Sequence, residues 1–302
     1  MATLTGGGYS DVTIKHYESL LKRLTNLGID YKKLKTAQEL KTFVLNHSKV
    51  SDTSIRVYLQ AILYSGANKN KKFLESAREF ITNTSKHERE ERGENLLVRN
   101  QKDNYVDWDG ILGAYNKLAK AKNKSDYDHL NFVIVSLYVL FPPRRLTDYS
   151  LMKVNDKFKT NKGLSKQYDT SNYYSPKKKV FVFNNYKTNK KIVNVEGVKT
   201  NMYKQQIFKI PDELVRILND YIKSFEIDDK LLQLSTKSLS DRVKKIFQDL
   251  LKKNVSVNIL RHSYISFILA DRKAFNHNKL YEISQQMGHS LNMQSQYAKI
   301  EN

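Results

Sequence analysis

Cysteine is absent from the 302 residues. Its absence excludes a disulfide framework, an iron–sulfur cluster and thiolate zinc sites, and it fits a reducing compartment. Proline and glycine are scarce, at 4 and 11 residues, so collagen-like and low-complexity readings fail. No run approaches the roughly 18 consecutive apolar residues that span a bilayer. The segment Met1 to Asp11 lacks the basic flank and apolar stretch expected of a secretory leader. Acidic residues are also in short supply, 31 Asp and Glu against 52 Lys and Arg, which leaves a formal charge of +21. Charge of that size repels itself across a folded chain, so a polyanionic partner is the economical reason to keep it. A membrane surface would call for a basic amphipathic helix, and no segment is one. Nucleic acid remains, and with it an expected intracellular location, cytoplasm or the nucleus of a host cell.

Periodicity divides the chain. Residues 1–85 read as a small all-helical unit. Ser10 is a candidate N-cap ahead of the stripe Val12, Tyr17, Leu20, Leu21 and Leu24, which Gly28 ends. Further helices are predicted from Thr36, over Ser51 to Gly66, and over Lys71 to Ile81. Residues 86–103, opening Lys86-His87-Glu88-Arg89-Glu90-Glu91-Arg92, carry no apolar face and read as a charged linker. Residues 104–302 form a larger unit. Helices over Asp107–Ala121 and Ser125–Phe141 precede Pro142-Pro143, which no helix can cross. Another helix starts near Arg144. Lys179–Phe183, Lys191–Val195 and Gln206–Ile210 alternate like short strands, with a turn over Asn184 to Lys190. Helices resume after Pro211 and end with a short one near Met293–Ile300. The expected fold is mainly α with a small inserted antiparallel β-sheet.

Transfer of a phosphoryl group needs a nucleophile, cations that neutralise charge growing on the non-bridging oxygens, and an acid for the leaving oxygen. Arginine suits the second task because its planar fork grips two phosphate oxygens and stays charged. Three segments supply such groups. In Pro143-Arg144-Arg145-Leu146-Thr147-Asp148, Arg145 and Asp148 are three apart, a spacing at which the carboxylate can hold the guanidinium. Asn258-Ile259-Leu260-Arg261-His262 opens a later helix. Gly288-His289 is followed by Tyr297, eight residues after His289.

Taken in order, an Arg-x-x-(Glu/Asp) box, a turn lysine, a box ending in arginine, a Gly-His pair and a following tyrosine resemble the tyrosine recombinase (phage-integrase) family over roughly residues 105–302. The first helical unit is similar to that family's core-binding domain in size and position. The resemblance implies that Arg145 and Arg261 clamp the scissile phosphate, with Asp148 supporting the first; Arg144 is the competing choice for Arg145. It further implies that His289 hydrogen-bonds the same phosphate, that Lys187 protonates the leaving 5′ oxygen, and that Tyr297 attacks to leave a 3′-phosphotyrosine. Asn258 stands where the family has His or Lys; it can donate a hydrogen bond but cannot shuttle a proton, and His262 is a candidate to replace it in part. The interval from Gly-His to Tyr is one residue shorter than usual, and the five residues after Tyr297 are a short tail for a family whose members dock theirs on a neighbour. Arg144, Lys190 and Lys191 are expected contacts to the DNA backbone. The implied partner is double-stranded DNA, held by a homo-tetramer in a viral or mobile-element integrase. A topoisomerase that nicks one strand and a catalytically weakened DNA-binding protein are the alternatives. No Gly-rich phosphate loop is present, and the remaining histidines (His16, His47, His87, His129, His277) lack metal-ligand spacing. No cofactor, metal or small-molecule substrate is therefore expected.

Overall fold

In the computed structural model, the chain divides into two units, Met1–Glu94 and Asn95–Asn302. The structure describes residues 9, 11–93, 99–121, 125–161, 164–165, 169–195, 198–270 and 276–291. The proposed cap Ser10, the segment Met293–Ile300 and Tyr297 lie outside them. Among the described residues, no helix is long and apolar enough to cross a membrane.

The first unit is four helices: α1 (Asp11–Asn26), α2 (Ala37–His47), α3 (Asp52–Ser65) and α4 (Lys71–Gly93). Their stops follow from local chemistry. The Thr36 and Ser51 side chains accept from Glu39 and Ser54 backbone N–H groups at the starts of α2 and α3. Gly28 and Gly66, at φ +84° and +59°, take the left-handed conformation that ends α1 and α3. The inward stripes bring Leu24, Leu40, Val44, Ile55, Leu59 and Phe73 to zero exposure, each contributing about 1.5–3 kcal/mol of transfer free energy. Residues 86–93, which carry no apolar stripe, continue α4. Glu88 pairs with Arg56 of α3 at 3.0 Å, and Lys86 lies 3.9 Å from Glu90 one turn on. Charge contacts sustain the helix there.

The second unit opens with α5 (Arg99–Lys102), α6 (Trp108–Lys120), α7 (Asp126–Val139) and α8 (Leu146–Ser150). Strands β1 (Met152–Val154), β2 (Leu164–Ser165), β3 (Asn172–Ser175), β4 (Val180–Phe183), β5 (Lys190–Val195), β6 (Val198–Lys204) and β7 (Gln206–Lys209) follow. Helices α9 (Asp212–Ser224), α10 (Thr236–Leu251), α11 (Val257–Ala270) and α12 (His277–Gln286) complete it. α7 stops short of Pro142-Pro143, as proline requires.

The strands depart from the expected single antiparallel sheet. Four of them, ordered β1-β3-β4-β7, form a mixed sheet in which β1 and β3 run parallel, Met152 opposite Asn172. β4 pairs antiparallel with β3 and β7, placing Phe181 between Tyr174 and Phe208. All four β4 residues, Val-Phe-Val-Phe, are buried, as expected of a central strand covered on both faces. Phe141, Tyr149 and Phe183 meet Phe181 at centroid distances of 5.4–5.8 Å. β5, the next strand along the chain, does not join this sheet; it belongs to a separate antiparallel sheet ordered β2-β6-β5. The Lys204 N–H donates to the Asn189 carbonyl at 2.9 Å, closing the base of the β5–β6 hairpin. The segment 184–189 therefore links two sheets.

Candidate active site

Two consecutive arginines point in different directions. Arg145 is the N-cap of α8, in extended conformation at φ −74° and ψ 155°, and successive side chains of an extended backbone face opposite sides. Arg144 turns inward and is fully buried. Its Nε donates to Asp148 Oδ2 at 2.8 Å, its Nη1 to the Gln286 carbonyl at 2.6 Å and its Nη2 to Gln206 Oε1 at 3.3 Å. The guanidinium lies 3.7 Å from the Phe183 ring centroid and 5.3 Å from that of Tyr186. Arg145 is partly exposed and donates from Nη1 to the Gly288 carbonyl at 2.8 Å.

Two expectations change here. Asp148 is paired with Arg144, not Arg145, because the capping geometry aims Arg145 away from the interior where that carboxylate sits. Arg144, with no exposed surface, is an internal cation and not a surface contact to a DNA backbone.

Arg261, on α11, is also buried; its Nη1 donates to the carbonyls of Pro143 at 2.6 Å and Met287 at 3.1 Å. Gly288 takes φ +67°, and a Cβ added there would meet Arg144 Nη2 at 2.8 Å. Only glycine satisfies both demands. The short turn Met287-Gly288-His289 after α12 thus collects contacts from all three arginines. Among the described residues, one carboxylate, Asp148, stands against three guanidiniums.

His289 is 4% exposed, and its Nδ1 donates to the Ser290 carbonyl at 3.0 Å. Burial, with Arg261, Arg145 and Arg144 nearby, lowers its pKa to about 4. The ring is therefore neutral at pH 7. An arriving anion would offset the guanidinium field and favour the imidazolium, which donates from both nitrogens.

Lys187 is exposed in the turn between β4 and β5, with no hydrogen bond or ion pair among the described residues. The turn is held from both sides. Thr188 Oγ1 donates to the Gly288 carbonyl at 3.3 Å. At its root, Asn172 Nδ2 donates to the backbone carbonyls of Asp148 (3.0 Å) and Asn185 (2.9 Å), while its Oδ1 accepts from the N–H groups of Asn184 and Asn185. The Asn189 amide closes back on the Asn184 carbonyl. One asparagine on β3 ties the lysine turn to the arginine helix.

Asn258 is exposed one turn before Arg261 and lies 3.3 Å from His262 Nε2. When Nε2 carries no proton, the Asn258 amide N–H donates to it. Gln101 approaches the same nitrogen at 3.4 Å. Lys190 and Lys191 are exposed at the start of β5.

The structure brings together Arg145, Asp148, Arg261, His289 and the turn bearing Lys187. Tyr297 lies outside the described residues. Asn172, Asn184, Asn189, Thr188 and Gln206 were not singled out from sequence. The asparagine density of 184–189 between two β-rich runs was the available signal.

No known family profile and no curated protein sequence matches the chain. Solved structures do. A XerH site-specific recombinase bound to palindromic difH substrate, in a post-cleavage complex, superposes with a TM-score of 0.50 at 15% identity, over 95% of this chain and 74% of that one. The same recombinase bound to difH substrate in a pre-cleavage complex gives a TM-score of 0.48, also at 15% identity, over 94% and 73%. The first likeness shows the fold, which is tyrosine recombinase-like: mainly helical with a small mixed sheet.

Proposed function

We propose that this chain is a site-specific recombinase or integrase that cuts and rejoins duplex DNA through a 3′-phosphotyrosine intermediate. The observation that carries the reading is the convergence of three arginines and the lysine turn on the carbonyls of Gln286, Met287 and Gly288, next to His289, with one carboxylate among the described residues to offset them. An excess of fixed positive charge in a water-poor cradle suits the transition state of a phosphodiester.

In this reading the Tyr297 phenol oxygen attacks phosphorus and gives up its proton to water, a new phosphorus–oxygen bond forms, and the bond to the 5′ oxygen breaks. Lys187, on a turn whose root is fixed by Asn172, supplies the proton that the leaving 5′ oxygen takes. Arg145 keeps N–H donors beyond the one spent on Gly288 and meets the non-bridging oxygens; Arg261 serves the same charge from beneath. His289 donates to the phosphate once protonated. Asn258 acts as a donor only, with its partner His262 held one turn away. The phosphotyrosine conserves the energy of the broken bond, so rejoining needs no nucleotide hydrolysis. The partner is double-stranded DNA, with strand exchange in a homo-tetramer of an intracellular, viral or mobile-element integrase. Phosphate contacts dominate affinity, and log K falls with log salt by about 0.9 per phosphate neutralised.

The deciding experiment incubates the full chain with nicked suicide duplexes drawn from a random pool. A covalent protein–DNA adduct is expected, and Tyr297→Phe abolishes it. No adduct under any condition sinks the enzymatic reading and favours the weakened DNA-binding alternative, which Asn258 supports. An adduct with relaxation of supercoils, but no exchange between duplexes, turns the reading toward a strand-nicking topoisomerase.

A further inference from the structure

We propose that Arg144 is a positioning residue: it locks the Gly288-His289 turn and the root of the lysine turn into one frame, and it never touches the phosphate itself. The inference rests on the recombinase reading for the reaction it serves, but its geometry stands apart from that reading.

A buried guanidinium survives only when its charge is paired and its donors are spent. Arg144 meets both conditions with partners from three elements. Asp148 of α8 takes Nε, the Gln285 and Gln286 carbonyls at the end of α12 face Nη1, at 3.4 and 2.6 Å, and Gln206 at the start of β7 faces Nη2. Gln206 reaches on to Gln285 at 3.4 Å, closing a ring through α12. The flat face of the guanidinium rests on Phe183, the last residue of β4, and near Tyr186, which directly precedes Lys187. The remaining approach is filled by Gly288, so closely that a methyl group has no room.

Arg144 is thus wedged between the segment that carries the acid and the segment that carries the imidazole, with its neighbour Arg145 facing outward. A lysine at 144 would keep the charge but lose the planar fork, and with it the simultaneous grip on three elements. Polar groups spread over three elements make an arginine specify geometry. A residue needed only for packing would be replaced by any side chain of similar volume.

The test compares Arg144→Lys and Arg144→Met with the parent chain on a nicked duplex that the parent cleaves. Displacement of reacting groups by about 1 Å can cost about 100-fold. Single-turnover adduct formation at saturating DNA is therefore expected to slow by about that factor in both variants. The slope of log Kd against log salt is expected to stay unchanged. A slope lowered by about 0.9 would make Arg144 a phosphate ligand, and cleavage at the parental rate would make it mere packing; either overturns the proposal. Should both variants fail to fold, Gln206→Leu removes the Nη2 partner alone. It is expected to slow cleavage at constant slope, and an unchanged rate overturns the proposal.

One readout needs no activity. The Gly288 and His289 N–H groups donate to the Gln285 and Ser284 carbonyls, each at 3.1 Å, and their amide hydrogen exchange is expected to speed up in Arg144→Met as the turn loosens. Exchange at the parental rate overturns the link between Arg144 and that turn. If the parent chain forms no adduct, the proposed function falls while this exchange measurement still decides the role of Arg144.

Discussion

The two units of the molecule bury different kinds of side chain. Among the described residues of the first unit, the buried polar or charged group is Asn68, and its amide serves local architecture by donating to the Tyr31 and Leu34 carbonyls. The second unit buries Arg144, Asp148, Arg261, His262, His289 and a set of asparagines and serines. Removing two guanidiniums and two imidazoles from water is expensive, and apolar groups of similar volume would often be more stable. The first unit shows what this sequence does where a core is built almost wholly from apolar side chains. The second departs from that pattern around one turn, and stability conceded there marks the place where chemistry is expected.

The contrast can be broken most decisively at Arg261. Arg261→Met is expected to slow covalent adduct formation by about 10²–10³, the usual loss when one preorganised transition-state donor is removed. A near-parental single-turnover rate would mean that the buried charges of the second unit are ordinary structure. The mirror-image change is Leu40→Ala in the first unit. Urea unfolding is expected to show a loss of about 2–5 kcal/mol from the cavity, with the adduct rate per folded molecule unaltered.

A third measurement concerns pH. Burial and the surrounding guanidiniums hold the proton affinity of folded His289 down, with a pKa of about 4. Below about pH 6.5 the unfolded chain therefore takes up a proton that the folded chain refuses. The contribution is complete above about pH 6.5 and drains away toward pH 4, on the order of 3 kcal/mol in all. His289→Gln should flatten that part of the stability profile in equilibrium unfolding. An identical profile in the variant would remove His289 from the account.

The smallest effect is expected at the exposed lysines. Lys190→Ala and Lys191→Ala should each lower the salt slope of duplex binding by about 0.9 with little change in stability. No change in slope would confine the DNA contacts to other surfaces.

How much of this was legible in the sequence depends on how each element is stabilised. Helices α2 and α3 were readable because an apolar stripe and a capping Thr36 or Ser51 coincide at their starts. The far end of α4 was harder, since Glu88 is secured by Arg56, thirty-two positions earlier, through a contact that no local pattern encodes. β3 was missed because Asn172 and Ser175 at its ends resemble a turn, and β1 because three residues carry no period. The candidate boxes were readable as a series, and the convergence of Arg145, Arg261, His289 and the lysine turn is what they implied. The partner of Asp148 was misread for a simple reason. Spacing along a helix predicts the i, i+3 neighbour, yet α8 begins only at Leu146, so Arg145 stands outside the helical geometry that the argument assumed. Tyr297 remains part of the proposal on sequence grounds.

The bond between Lys204 N–H and the Asn189 carbonyl has a wider consequence. It sits where the β5–β6 hairpin departs from the turn bearing Lys187, and beyond it the hairpin is held through β2, by the pairing of Leu164 with Lys204 and Ser165 with Tyr203, and not through that turn. Changes confined to the strands between Lys190 and Met202 are expected to leave the lysine turn in register, because its anchors Asn172, Asn184 and Asn189 all lie outside that stretch. A hairpin held in this way can vary in sequence while the lysine turn keeps its place.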